Sequence, residues 1–279
     1  MQHLMISLAL LLLLSCSALK EAHGAASSRF IDEVLQQHAS SLHVQTAHEV
    51  STQRDHFAHP SGTRVKAPKD DQGFNNIDAL FVVSLKRRED RRRDIDAMFH
   101  SLGVTKHKFV TAVPTECGYI GSSLSHAMAV AECIHRKYAT CAVFEDDFSL
   151  QGDAQSANKA MDKFFLSGPA DWDVVLLSGS LTNTEKSPYP YLQRVRQAFH
   201  TSGYLINGRY APKLLGNFME SAYMLNNNCT VAAGVNPIVL DVHGQELQPD
   251  DNWFAFHPKI GKQKASFSDI AGSFSDWNT

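Results

Sequence analysis

The chain of 279 residues is 43% hydrophobic and 20% charged, the balance of an ordinary globular protein with room for one large α/β domain and additional segments. A formal net charge of −3 argues against a general nucleic-acid binder. Partners therefore have to be sought in local sites.

The first residues carry an apolar run over positions 4–14, followed by the small residues Ser15-Cys16-Ser17-Ala18, which reads as a secretory signal peptide over residues 1–19. A short signal anchor is the rival reading, although about 16 apolar or small residues fall below the roughly 20 of a typical span. Either way the remainder is expected in the lumen of the endoplasmic reticulum or Golgi, or outside the cell, with membrane association through the N-terminus if the run is retained. Beyond this segment lie Cys117, Cys133, Cys141 and Cys229, whose spacing fits no zinc pattern; an oxidising lumen allows one or two disulfides, and the sequence does not assign their pairing. Asn228-Cys229-Thr230 is a glycosylation sequon. Residues 20–76 are rich in Ser, His, Gln, Ala and Thr, are broken by Pro60 and Pro68, and read as a stem or linker with one amphipathic helix over 28–43.

The folded domain is expected over residues 77–279. It opens with a β-prone strand, 77–85, and passes at once into the basic run Lys86-Arg87-Arg88-Glu89-Asp90-Arg91-Arg92-Arg93, where Asp90 can cap a helix. A cationic loop at a strand end and helix start suits a diphosphate, because guanidinium groups and helix amides both favour anions; a solvated basic helix face is the alternative. A second strand follows at 108–112. Gly118-Tyr119-Ile120-Gly121 and Ser122 to Ser125 then lead through His126 into a helix, and two glycines there let a ligand approach the backbone closely.

The segment around which the rest is arranged is Cys141-Ala142-Val143-Phe144-Glu145-Asp146-Asp147. Four apolar residues run into three adjacent carboxylates, as in a buried strand whose carboxyl end emerges charged. Such a triplet is tolerated if solvated, partly protonated or neutralised by a cation, and ligands of open α/β sheets bind at this end of the strands. Mg²⁺ or Mn²⁺ shared with substrate phosphates would suit it; a polar turn ending a strand is the plainer reading. Further on, 154–166 reads as a helix, 172–178 as a strand, 182–197 as a long polar loop, 200–207 as a strand, 210–220 as a helix and 237–240 as a short apolar strand. Strands alternating with helices argue for a mainly parallel sheet.

In this order the blocks resemble glycosyltransferase family 25, which includes lipopolysaccharide-assembling enzymes and the collagen galactosyltransferases. The matching blocks are Val83 to Arg91, Gly118 to His126, Val143 to Asp147, Trp172 to Leu177 and Thr201-Ser202-Gly203-Tyr204, with the segment from Gln263 to Ser268-Asp269-Ile270 also similar. The resemblance implies a GT-A type nucleotide-sugar-binding fold and an inverting transfer of galactose or glucose from a UDP-sugar to a glycan, lipid-linked or protein hydroxyl acceptor. It implies Mn²⁺ or Mg²⁺ on Glu145, Asp146 and Asp147, with Ser84, Arg87, Arg88, Arg91, Gly121, Ser125 and His126 near the donor. Inversion needs a general base, for which Asp241, following the apolar segment 237–240, and Asp251 are the candidates. Ser84 and Ser122-Ser123 depart from the family pattern. Two alternatives stand beside this reading: a catalytically silent sugar- or protein-binding homologue, and a Mg²⁺-dependent phosphohydrolase using the same carboxylates.

Overall fold

The computed structural model describes residues 71–199, 202–227, 229, 238–270 and 272–276. The signal-like segment, nearly all of the stem and the sequon asparagine lie outside the described residues. The first described element, a 3₁₀ turn at Gly73–Asn76, precedes the expected domain start and is part of the fold: Phe74 is fully buried. Asp162 fixes this turn by accepting from the Gly73 amide at 2.6 Å and from Asn76 Nδ2 at 3.0 Å.

In chain order follow β1 (Ala79–Ser84), α1 (Glu89–Ser101), β2 (Lys108–Thr111), α2 (Gly118–His135), β3 (Thr140–Glu145), β4 (Phe148–Leu150) and α3 (Ala154–Ser167). Next come β5 (Val174–Leu176), β6 (Ser180–Lys186), β7 (Leu192–Phe199), β8 (Gly203–Asn207) and α4 (Ala211–Asn227). The chain ends with α5 (Leu240–His243), β9 (Trp253–Phe256), β10 (Gly261–Gln263), β11 (Ser266–Ser268) and β12 (Ser273–Ser275). The helix expected after the basic run does form, but Arg88, not Asp90, occupies its N-cap; Asp90 sits in the first turn, where a carboxylate meets the positive end of the helix dipole.

Eight strands form one sheet in the order β2-β1-β3-β8-β5-β9-β7-β6. The pairings β1–β2, β1–β3 and β5–β9 are parallel, and only β8 and β7 run against the rest, so the sheet is mainly parallel as expected. The continuous apolar runs reflect burial on both faces. Along β1 and β3, Phe81, Val83, Cys141 and Val143 face a layer built from α2, α4 and α5, while Leu80, Val82, Ala142 and Phe144 face α1 and α3. Successive side chains point to opposite faces, so one strand serves both cores.

Two expectations are corrected. The polar stretch 182–197 is no loop: β6 and β7 form an antiparallel hairpin at the sheet edge. Its outer strand is largely solvated, so it lacks the apolar alternation of a half-buried strand. The segment 237–240 is not a strand either; Val239 caps the single-turn α5 at Leu240. The four cysteines pair as Cys117–Cys229 and Cys133–Cys141, with Cα separations of 6.2 and 6.3 Å.

Candidate functional site

Because β1, β2 and β3 are parallel neighbours, their carboxyl ends emerge side by side, and the loops leaving them wall a cleft of about 870 Å³ including its open mouth. From the sequence-derived set, Ser84, Arg87 and Arg91 line it on one side, Gly121, Ser125 and His126 on another, and Glu145, Asp146 and Asp147 at its base. Residues as far apart in the chain as Ser84 and Asp147 are thus brought together by strand order alone.

The first turn of α1 aims Arg91 across the end of β3. Its Nη1 lies 2.7 Å from Asp146 Oδ1 and 3.1 Å from Asp147 Oδ2, and its Nη2 donates to Ser266 Oγ at 2.6 Å and to the Phe267 carbonyl at 2.8 Å. One guanidinium therefore ties the acidic triplet to the C-terminal hairpin β11–β12. Burial raises Asp146 above the usual carboxylate range against the pull of Arg91. Asp147 is pushed up to about 7, first by burial and then by the Glu145 charge, with Arg91 opposing.

Arg87 and Arg88 do not point free charge into the cleft: Arg87 Nη2 and Arg88 Nη1 grip the two oxygens of Asp269 at 2.8 and 2.7 Å. Arg88 is outside the cleft lining and bonds Asp90 as well. Ser125 is occupied structurally, donating to the Gly121 carbonyl and accepting from the Val113 amide at 2.9 Å, which pins the β2–α2 connection to the helix. Gly121 is required by that close approach, since a Cβ there would meet the Val113 oxygen at 2.4 Å. His126 is fully buried, with Nε2 3.2 Å from Glu145 Oε1 and Nδ1 2.9 Å from the Tyr204 hydroxyl.

The proposed bases fall elsewhere. Asp251 precedes β9, which runs the same way as β3, so it lies at the opposite, amino-terminal end of the sheet; it accepts from the Tyr210 hydroxyl at 2.7 Å and from Lys213 Nζ at 2.5 Å. That is a structural clamp, and Asp251 is removed from the catalytic set. Asp241 lies on α5 and is not among the residues lining the cleft. The strand expected to deliver it to a sheet end does not exist.

Two participants were not singled out individually from the sequence. Gln263 Nε2 sits 3.3 Å from Asp147 Oδ2 and 3.5 Å from Glu145 Oε2, and Asp269 holds the arginine pair. Only the similarity of the segment from Gln263 to Ile270 pointed towards them.

Among the described residues no group of three or more His, Cys, Asp or Glu side chains is arranged as a metal cage. A divalent cation using one or two carboxylates and completed by phosphate oxygens asks for less. Asp147 Oδ1 meets that requirement: it is buried and has no hydrogen-bond partner, and Asp147 lines the cleft together with Glu145. Asp146 is committed to Arg91. The residues fit a cation held by Glu145 and Asp147, not by the full triplet.

No protein-family model matches the chain. It is 25% identical to procollagen galactosyltransferase 1-A of Xenopus laevis over 50% of its own length, and the match spans 28% of that protein. Over that half the chain is glycosyltransferase-like in sequence. Among solved structures, mannose-1-phosphate geranyltransferase from Thermus thermophilus aligns with a TM-score of 0.38 at 9% identity, covering 66% of this chain and 58% of that one. A197 from STIV aligns at 0.36 and 14%, covering 63% and 80%. Likenesses of that degree say nothing further about the chemistry.

Proposed function

We propose that this protein is a metal-dependent glycosyltransferase of GT-A type, moving galactose or glucose from a UDP-sugar to a hydroxyl acceptor with inversion. The observation that carries the reading is the placing of Glu145 and the buried, unpartnered Asp147 Oδ1 in one open cleft at the carboxyl ends of β1 and β3, beside Arg91. Glu145 and Asp147 would hold Mn²⁺ or Mg²⁺, which when bound supplies charge neutralisation for the departing UDP. Arg91 contributes fixed positive charge at the same place and needs no reorganisation as charge develops. Gly121 and Val113, packed tightly on one another, wall the cleft beside these groups. A secretory location is supported by the signal-like residues 1–19 and by two disulfides. No helix among the described residues is long and apolar enough to cross a membrane.

A second reading, a catalytically silent sugar- or protein-binding homologue, is favoured by one observation: Arg91 already pairs with both Asp146 and Asp147. The full chain incubated with a panel of UDP-sugars, with Mn²⁺ or a chelator, separates the two. Release of UDP from one donor, dependent on Mn²⁺ and abolished in Asp147→Asn, is expected of the transferase. A folded protein that turns over and binds none of the donors is the silent homologue.

A further inference from the structure

Glu145 is held from behind by a chain of groups that the cleft itself does not explain. His126 on α2 is fully buried, and its ring is stacked on Tyr204 of β8, with centroids 5.9 Å apart and planes 16° apart. Phe218 of α4 meets the same imidazole edge-on at 6.0 Å and the Tyr204 ring at 6.3 Å. The ring can neither tilt nor slide, and each of its nitrogens faces a different oxygen: Nε2 the Glu145 carboxylate at 3.2 Å, Nδ1 the Tyr204 hydroxyl at 2.9 Å. A carboxylate oxygen only accepts, so Nε2 carries a hydrogen towards Glu145, while the Tyr204 hydroxyl, which can donate or accept, completes the chain at Nδ1.

We propose that Tyr204 and His126 are positioning residues: the buried tyrosine hydroxyl anchors Nδ1 of the His126 ring, whose Nε2–H in turn fixes the Glu145 carboxylate for the cation and diphosphate of a bound donor. The proposal rests on the reading of the cleft as a nucleotide-sugar site. It gives His126, which lines the cleft although fully buried, the task of supporting Glu145. The arrangement is that of a hydrogen-bonded group orienting a metal-binding side chain, whose loss typically weakens metal affinity about 10- to 100-fold. It also gives the buried Tyr204 hydroxyl a role, since a phenylalanine would fill the same space between α2 and α4.

The test uses ¹⁵N-labelled full chain and the substitution Tyr204→Phe, which keeps the ring and so the packing. Long-range ¹H–¹⁵N correlation of the histidine rings, with His126 assigned by its disappearance in His126→Gln, reads which ring nitrogens carry hydrogen without any ligand. A hydrogen on Nε2 is expected in the wild type and in Tyr204→Phe alike, because the Glu145 carboxylate requires it, with the Nδ1 resonance shifted in Tyr204→Phe as its hydroxyl partner is lost. Mn²⁺ binding in the presence of UDP, followed by the electron paramagnetic resonance of free Mn²⁺, is expected to weaken about tenfold in Tyr204→Phe. A wild-type His126 without a hydrogen on Nε2 would overturn the proposal, as would unchanged Mn²⁺ affinity in a folded Tyr204→Phe. A wild type with a hydrogen on Nε2 that binds no Mn²⁺ at all would overturn the metal reading of the cleft and leave the hydrogen-bonded chain behind Glu145 standing.

Discussion

Replacing Gly121 by alanine tests the packing that shapes the cleft, and the structure decides the sign. A helical Gly→Ala change gains up to about 1 kcal/mol of helix propensity. Against this, the new Cβ would lie 2.4 Å from the Val113 carbonyl oxygen and 3.0 Å from Thr115 Oγ1. The first is backbone, fixed by the Val113 amide bond to Ser125, so it cannot rotate aside. Overpacking of this kind costs typically about 1–3 kcal/mol, and with an unyielding partner the upper part of that range applies. The net expectation is a loss of about 1–2 kcal/mol, or about 2–8 °C in Tm for a domain of this size. Gly216, within α4, is the internal control: nothing lies within 4 Å of a Cβ placed there, so Gly216→Ala should gain about 0.5–1 kcal/mol through propensity alone. Thermal unfolding of both variants by circular dichroism gives the comparison. If both proteins become more stable, the close contact between α2 and the β2–α2 connection is not present and the reasoning fails.

Three further outcomes follow from the same contacts. Arg91→Ala leaves Asp146 and Asp147 buried without their shared cation, which should cost about 3–5 kcal/mol by chemical denaturation; added Mn²⁺ should stabilise this variant more than the wild type. Asp251→Asn should leave UDP-sugar turnover near the wild-type level while lowering Tm, because its carboxylate serves Tyr210 and Lys213 at the far end of the sheet; complete loss of turnover in a folded variant would restore it as a base. Removing the Cys117–Cys229 disulfide by double serine substitution should cost more than removing Cys133–Cys141, about 5 against about 2.5 kcal/mol on loop length alone, since the separations are 112 and 8 residues. Equal losses would contradict that ordering.

The parts of this molecule that were legible in sequence are those where one strand is buried on both faces. The runs that became β1 and β3 are continuous in apolar residues because each feeds two cores, and the charge that follows each run marks where the strand leaves the interior. That marks the ends of both runs; the family resemblance grouped Ser84, Arg91 and the acidic triplet, and the strand order β2-β1-β3 is what brings them together. What the residues make of one another was not legible. Glu145, Asp146 and Asp147 look equivalent in a row, yet Arg91 takes up Asp146 and part of Asp147, and Asp147 Oδ1 is left without a partner. Arg87 and Arg88 read as anion binders, and their anion proves to be Asp269, about 180 residues away in the chain. The edge hairpin β6–β7 escaped notice because its outer strand is largely solvated and so carries no apolar alternation. Asp241 and Asp251 were misplaced for a related reason: four apolar residues before Asp241 suit a strand and a capped turn equally, and the amino and carboxyl ends of a strand look alike until its direction in the sheet is known.

The most direct test of the central claim is a crystal structure of the protein grown with UDP and Mn²⁺. The account predicts the nucleotide in the cleft walled by Gly121 and Val113, the diphosphate beside Arg91, and the metal on Glu145 and Asp147 Oδ1, with Asp146 still on Arg91. Nucleotide bound elsewhere, or a cleft that stays empty at saturating UDP and Mn²⁺, would contradict it.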